Sequence, residues 1–236
     1  MLELLKPIGT VGRMYCDNPP QRFVDSLVEM MQFSQMVDCE KGEYIHYAKG
    51  MASYHVLGRN VLAKEMKGDW LLQIDTDHQF AADMLHRLLV LKKKYNLPVL
   101  SVVYGYKAPP HGPVMGIWGE NDRLLPVFDY PRDVDVLPVG AVGGGGLLVD
   151  REVFNKIYET GEEPFDCIGG LSEDYSFCLR CKRLGIPVHV APNVQSHHLI
   201  HHAISMNDYK PDRSQFQATP TTLGVITKSP EGDAVK

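Results

Sequence analysis

The segment Asp69-Trp-Leu-Leu-Gln-Ile-Asp75-Thr-Asp77-His-Gln-Phe80 constrains the fold more than any other part of this chain. An apolar run, Trp70 to Ile74, stops at two carboxylates one residue apart. Flanked by helical patterns on both sides, such a run predicts a buried central strand of an α/β sheet. Open α/β sheets bind ligands beyond the carboxyl ends of their strands. Residues i and i+2 of an extended strand share a face, so Asp75 and Asp77 can point at one spot if the strand conformation persists. Two carboxylates at one point repel unless a cation lies between them, and hard oxygen donors suit Mg²⁺ or Mn²⁺. The competing reading is that polar residues simply end a strand.

The neighbouring patterns extend this picture. Ile8 to Cys16 reads as a first strand running into a loop, and Asp17-Asn-Pro-Pro20 as a helix start. Phe23, Leu27, Met30 and Met31 recur at helical spacing, which predicts a helix over Gln21–Met36. Glu43–Tyr47 is a second strand; Ser53 then caps a helix with Leu57, Val61, Leu62 and Met66 on its apolar face, ending at Gly68. Ala81–Lys94 is a third helix, with Lys92, Lys93 and Lys94 as a solvated last turn favourable to the helix dipole. Leu97–Tyr104 is another buried strand. The order β-α-β-α-β-α-β predicts an α/β fold: a mostly parallel sheet with helices on both faces. Residues 105–138 are rich in Pro and Gly and read as a small antiparallel ribbon with loops. A glycine-rich stretch, Gly140–Gly146, leads into a strand, followed by helices over Arg151–Thr160 and Glu173–Leu184 and a last strand after Gly185. Residues 207–236 are polar, with Pro211, Pro220 and Pro230 scattered through them, and are expected to be an extended or partly disordered tail.

Composition removes some functions. A hydrophobic content of 44% supports a sizeable core. The net charge of −5 gives no global basic signature, which argues against gripping nucleic acid by charge alone, although a local basic groove is compatible with it. No apolar run approaches the ~18 residues of a transmembrane span. The N-terminus lacks a signal-peptide layout, and five cysteines make a disulfide framework a poor fit, so a cytoplasmic, reducing setting is expected. Cys178-x-x-Cys181 has redox or zinc spacing, but both cysteines fall on an apolar helical face and are expected to pack in the core.

Further groups carry candidate chemistry. Ser172-Glu173-Asp174 opens a helix, which is ordinary capping chemistry or a catalytic acid pair. His197, His198, His201 and His202 offer imidazoles, one of which could join Asp77 in a mixed O/N metal site; otherwise they are surface or capping residues. Gly143–Gly146 removes every Cβ from a stretch of backbone, yet it matches neither a P-loop nor a dinucleotide fingerprint. Arg59, beside Asn60, can pair with a phosphate or with a carboxylate.

In this order the pieces resemble the GT-A-fold glycosyltransferases, specifically the family-2-like group of small bacterial and phage enzymes, over Gly9–Leu199. The resemblance rests on Arg59-Asn60, Asp75-x-Asp77, the glycine-rich strand, Ser172-Glu173-Asp174-Tyr175 with the Phe-Cys-x-Arg that follows, and a histidine after the last strand. It implies a Rossmann-like, GT-A sheet and a single nucleotide-sugar transferase domain over residues 1–206. It also implies Mn²⁺ or Mg²⁺ and a UDP- or GDP-linked sugar donor. Asp77 and His198 would ligate the metal, with His197 competing for that place, and Asp75 would reach the metal through water or contact the ribose. The first strand and its loop, here Gly9–Tyr15 with Thr10-Val-Gly12-Arg13 in place of the family's Pro-Thr-Arg-Gly-like start, would hold the nucleotide base and ribose. Arg59 would neutralise phosphate, and Gly144 and Gly145 would give a ligand close access to the backbone. Asp174 would be the base for an inverting transfer and Glu173 its alternative. The acceptor hydroxyl could belong to a glycan, a lipid-linked sugar, a small metabolite, a protein or a modified DNA base. A metal-dependent phosphohydrolase or nuclease, or a non-catalytic nucleotide-sugar-binding protein, is the competing expectation.

Overall fold

A computed structural model describes residues 5–50, 54–200, 203, 204 and 206. In chain order the elements are β1 Lys6–Arg13, α1 Gln21–Val37, β2 Glu43–Lys49, α2 His55–Glu65, β3 Trp70–Ile74, β4 His78–Phe80 and α3 Met84–Tyr95. They continue as β5 Val99–Val103, β6 Met115–Trp118, β7 Leu124–Pro126, β8 Leu137–Val139, β9 Ala141–Val142 and β10 Leu147–Asp150. Helices α4 Arg151–Tyr158 and α5 Glu173–Arg183 follow, then β11 Val188–Leu199 and β12 Ala203–Ile204.

Among the described residues the main sheet runs β12-β11-β5-β10-β3-β1-β2, with β4 and β8 also paired to β11. Strand β1 is parallel to β2 and β3, and β11 is parallel to β5. Strand β10 runs antiparallel between β3 and β5. Every residue of β3 is buried, as its unbroken apolar run demands.

The alternation of β3 sorts its side chains between two cores. Trp70, Leu72 and Ile74 pack with Phe23, Leu27 and Met30 of α1 and Met84, Leu85 and Leu88 of α3. Leu71 faces the other way, toward Leu62 of α2, Phe154 of α4 and Phe177 of α5. Helices therefore cover both faces of a mostly parallel sheet, as the alternating pattern implies. Cys178 and Cys181 lie buried in the second core, and burial pushes the Cys178 thiol up to about 12, leaving it an unreactive packing group. The ribbon is present as an antiparallel sheet β7-β6-β9. Among the described residues no helix is long and apolar enough to cross a membrane.

Several local expectations change. Pro20, not Asp17, occupies the N-cap of α1, and no side chain caps that helix. Ser53, proposed as the α2 cap, lies outside the described residues, as does the tail over 207–236. Strand β11 is the largest surprise: it outruns β5 through a register break between Ala191 and Gln195. Pro192, which has no N–H to give the ladder, lies in that break. Beyond it, β11 pairs antiparallel with β4, aligning Ser196 with Phe80, His197 with Gln79 and His198 with His78.

Candidate active site

The parallel strands bring the C-terminal ends of β1, β3 and β5 to one edge of the sheet, and Arg59 organises that edge from α2. Its side chain is 1% exposed. Nε donates to Glu173 Oε1 at 3.1 Å and Nη2 to Asp75 Oδ1 at 2.8 Å. Nη1 donates to Gln73 Oε1 and to the Gly144 carbonyl, each at 3.1 Å. Gln73 and Asp75 lie two residues apart, on the face of β3 that α2 covers, so one guanidinium reaches both. Burial alone would lower the Arg59 pKa, but Asp75 and Glu173 outweigh it and hold the group charged. The fork proposed for phosphate thus spends these four bonds on protein acceptors, and it acts on the cleft through the carboxylates it fixes.

The two aspartates take different partners in the one cleft they both line. Thr76 and Asp77 form a turn directly after β3, so the extended conformation ends before Asp77. Asp77 Oδ2 accepts from Lys107 Nζ. Asp77 Oδ1 is buried without a hydrogen-bond partner among the described residues, 3.7 Å from His78 Nε2 and 4.0 Å from His198 Nε2. Both separations are too long for hydrogen bonds. Burial alone would raise the Asp77 carboxyl; Lys107 and the two imidazoles more than reverse this and keep it below the ordinary carboxylate range. His198 Nδ1 donates to the Gly105 carbonyl at 2.7 Å, which leaves Nε2 as its lone-pair nitrogen. Asp77, His78 and His198 present ligand atoms within 4.8 Å of one another. An orphaned carboxylate oxygen facing an imidazole lone pair fits a divalent cation.

Helix α5 supplies the acids on the opposite wall. Asp174 Oδ2 accepts from the Gly144 amide at 3.1 Å, and Oδ1 accepts from the Tyr175 amide at 2.8 Å and from the Ser172 hydroxyl. Burial raises the Asp174 carboxyl, with Arg59 pulling against it. Asp75, Asp77, Glu173, Asp174, Lys107 and His198 all line one cleft of about 580 Å³, a volume suited to a small-molecule ligand.

No protein-family profile matches the chain, and no curated protein matches it in sequence. Solved structures do. A197 from STIV superposes at TM-score 0.55 with 15% identity, covering 98% of each chain. GalNAc-T7, solved with UDP, GalNAc and Mn²⁺, superposes at TM-score 0.56 with 13% identity over 89% of this chain and 47% of that one. The chain has a GT-A-like glycosyltransferase fold. TarS 1–349 of S. aureus superposes less closely, at TM-score 0.47 and 12% identity over 86% of this chain and 62% of that one.

Within the GT-A frame the remaining candidates fall into place. Gly12 and Arg13 end β1 beside Ile74, at the edge that carries Asp75, but they do not line the cleft. Gly12 is buried, and a Cβ there would lie 2.9 Å from Leu62 Cδ2. Arg13 Nε donates to Tyr47 Oη at 2.5 Å. The glycine run is buried throughout, and the space above it holds the protein's own side chains. A Cβ at Gly144 would lie 2.3 Å from Arg59 Cζ, and one at Gly145 would lie 2.4 Å from His78 Nε2. Gly144 and Gly145 therefore seat the side chains of Arg59 and His78. His197 and His198 alternate along β11, so His198 shares a face with His78 and His197 takes the other; His201 and His202 lie outside the described residues. Sequence reasoning passed over His78, and it offered Lys107 only as one of several scattered candidates for a local basic groove. His78 directly follows Asp77, and that adjacency was the available signal; Lys107 comes from the loop after β5, and nothing in the sequence tied it to Asp77.

Proposed function

We propose that the chain is a metal-dependent glycosyltransferase that moves a sugar from a UDP- or GDP-linked donor to an acceptor hydroxyl, with inversion. The observation that carries this reading is Asp77 Oδ1, buried beside His198 Nε2 without a hydrogen-bond partner among the described residues, in the same cleft as the half-buried carboxylate of Asp174. The fold neighbour GalNAc-T7, solved with UDP, GalNAc and Mn²⁺, supports it. Asp77 and His198 would hold Mn²⁺ or Mg²⁺, which when bound supplies positive charge where the diphosphate departs. Asp75, oriented by Arg59, faces the donor side. Asp174 takes the proton of the acceptor hydroxyl, and its raised pKa makes it a stronger base than an exposed aspartate. Glu173, tied to Arg59, positions the acceptor. Residues 1–206 would act as one transferase unit, and the free cysteines support a reducing, cytoplasmic setting.

The test is a panel of UDP- and GDP-sugars assayed with and without Mn²⁺. Nucleoside diphosphate release should need the metal and disappear in Asp77→Ala. In Asp174→Asn it should fall by roughly 10²–10⁴-fold, the usual contribution of a positioned base. Turnover that survives chelation and both substitutions, or hydrolysis of simple phosphate esters instead, would overturn the proposal.

A further inference from the structure

His78 is a second imidazole packed behind the cleft wall, against its lining residues Tyr104 and His198, and its environment asks for a partner that no protein atom among the described residues supplies. The residue is 0% exposed, and its Nδ1 lies 2.8 Å from the hydroxyl of Ser196, itself 1% exposed in β11. Its Nε2 is buried and has no hydrogen-bond partner among the described residues. The carboxylate oxygen Asp77 Oδ1 is 3.7 Å away and is likewise unpartnered among them. Leaving two such atoms facing each other is costly unless something bridges them. The surroundings hold the ring firmly: Tyr104 packs edge-on at 4.6 Å between centroids, and the His198 ring lies 4.3 Å away across the β4–β11 pair. Gly145 leaves space for the Nε2 edge. When Nδ1–H donates to the Ser196 hydroxyl, Nε2 carries the ring's lone pair.

We propose that His78 Nε2 is a third protein ligand of the cleft cation, which makes the set one carboxylate and two imidazoles. This rests on the metal site of the proposed transferase and adds a metal class to it. Imidazole nitrogens suit transition cations, Zn²⁺ and Co²⁺ more than Mn²⁺, whereas Mg²⁺ takes oxygen ligands and keeps its water. The site is therefore selective against Mg²⁺. Ser196 is a positioning residue, fixing the tautomer from the outer shell.

The experiment is pulsed EPR on the full chain loaded with Mn²⁺, counting directly coordinated imidazole nitrogens, with a parallel titration for affinity. Two nitrogens are expected in the unmodified protein and one in His78→Gln. Affinity in that variant should drop by at least about tenfold, since even outer-shell partners are worth that much. A large excess of Mg²⁺ should fail to displace bound Mn²⁺. Should His78→Gln not fold, the nitrogen count of the unmodified protein decides alone. One coupled nitrogen there, or ready displacement by Mg²⁺, overturns the third-ligand assignment and leaves the transferase reading standing. No bound Mn²⁺ at all overturns both.

Discussion

A guanidinium with 1% exposure is tolerable only because Asp75 and Glu173 meet it, while Gln73 and the Gly144 carbonyl take further N–H groups. Removing the buried guanidinium leaves two half-buried carboxylates unpaired, a loss approaching that of breaking a fully buried pair, about 3–5 kcal/mol. Arg59→Ala is therefore expected to lose that much stability in urea unfolding, and Arg59→Lys, a point charge without the fork, to recover only part of it. A loss below about 1 kcal/mol in Arg59→Ala would mean that the cluster contributes little. The same residue marks a limit of reading from sequence. A guanidinium pairs with phosphate or carboxylate by the same geometry, and its acidic partners here lie 16 and 114 positions away along the chain. Nothing local to Arg59 distinguishes the two uses.

The long elements were legible because periodicity needs length. The run Trp70–Ile74, the helical spacing of Phe23, Leu27 and Met30, and the alternation of strand and helix all survive in the sheet and its two cores. Strand β4 was not legible: three residues carry no period, and a turn separates them from β3. That short strand nevertheless decides the site, because pairing with β11 fixes which histidine faces Asp77. Period-two alternation then makes a sharp prediction. His198→Ala should abolish measurable Mn²⁺ binding in an EPR titration, whereas His197→Ala should leave affinity within about twofold, as expected of a residue outside the ligand set. Thermal melts of both variants without metal control for loss of the strand pair. Equal losses of affinity in the two would show that β11 carries a different register.

At the scale of the molecule, the same burial that prepares the site makes folding depend on pH. His78 and His189 are both buried, and burial lowers both pKa values below 6.5, His78 to about 4. A lowered basic group binds fewer protons folded than unfolded, so acid favours the unfolded chain. Its contribution is complete above about 6.5 and is lost as pH falls toward the folded value. For His78 alone, a window from 6.5 to about 4 corresponds to about 3 kcal/mol. Asp174, whose carboxyl is raised, works against this trend, because the folded chain holds its proton more readily than the unfolded one. In the chelated protein, urea unfolding free energy should therefore decline steadily as pH is lowered through that window, and His78→Gln should flatten the decline. Bound Mn²⁺ should make the same curve higher at neutral pH and steeper below it, because protons then compete with the cation for its imidazole ligands. A metal-free curve that stays level between those limits would mean that His78 is protonated inside the fold, and a protonated ring has no lone pair to give a metal.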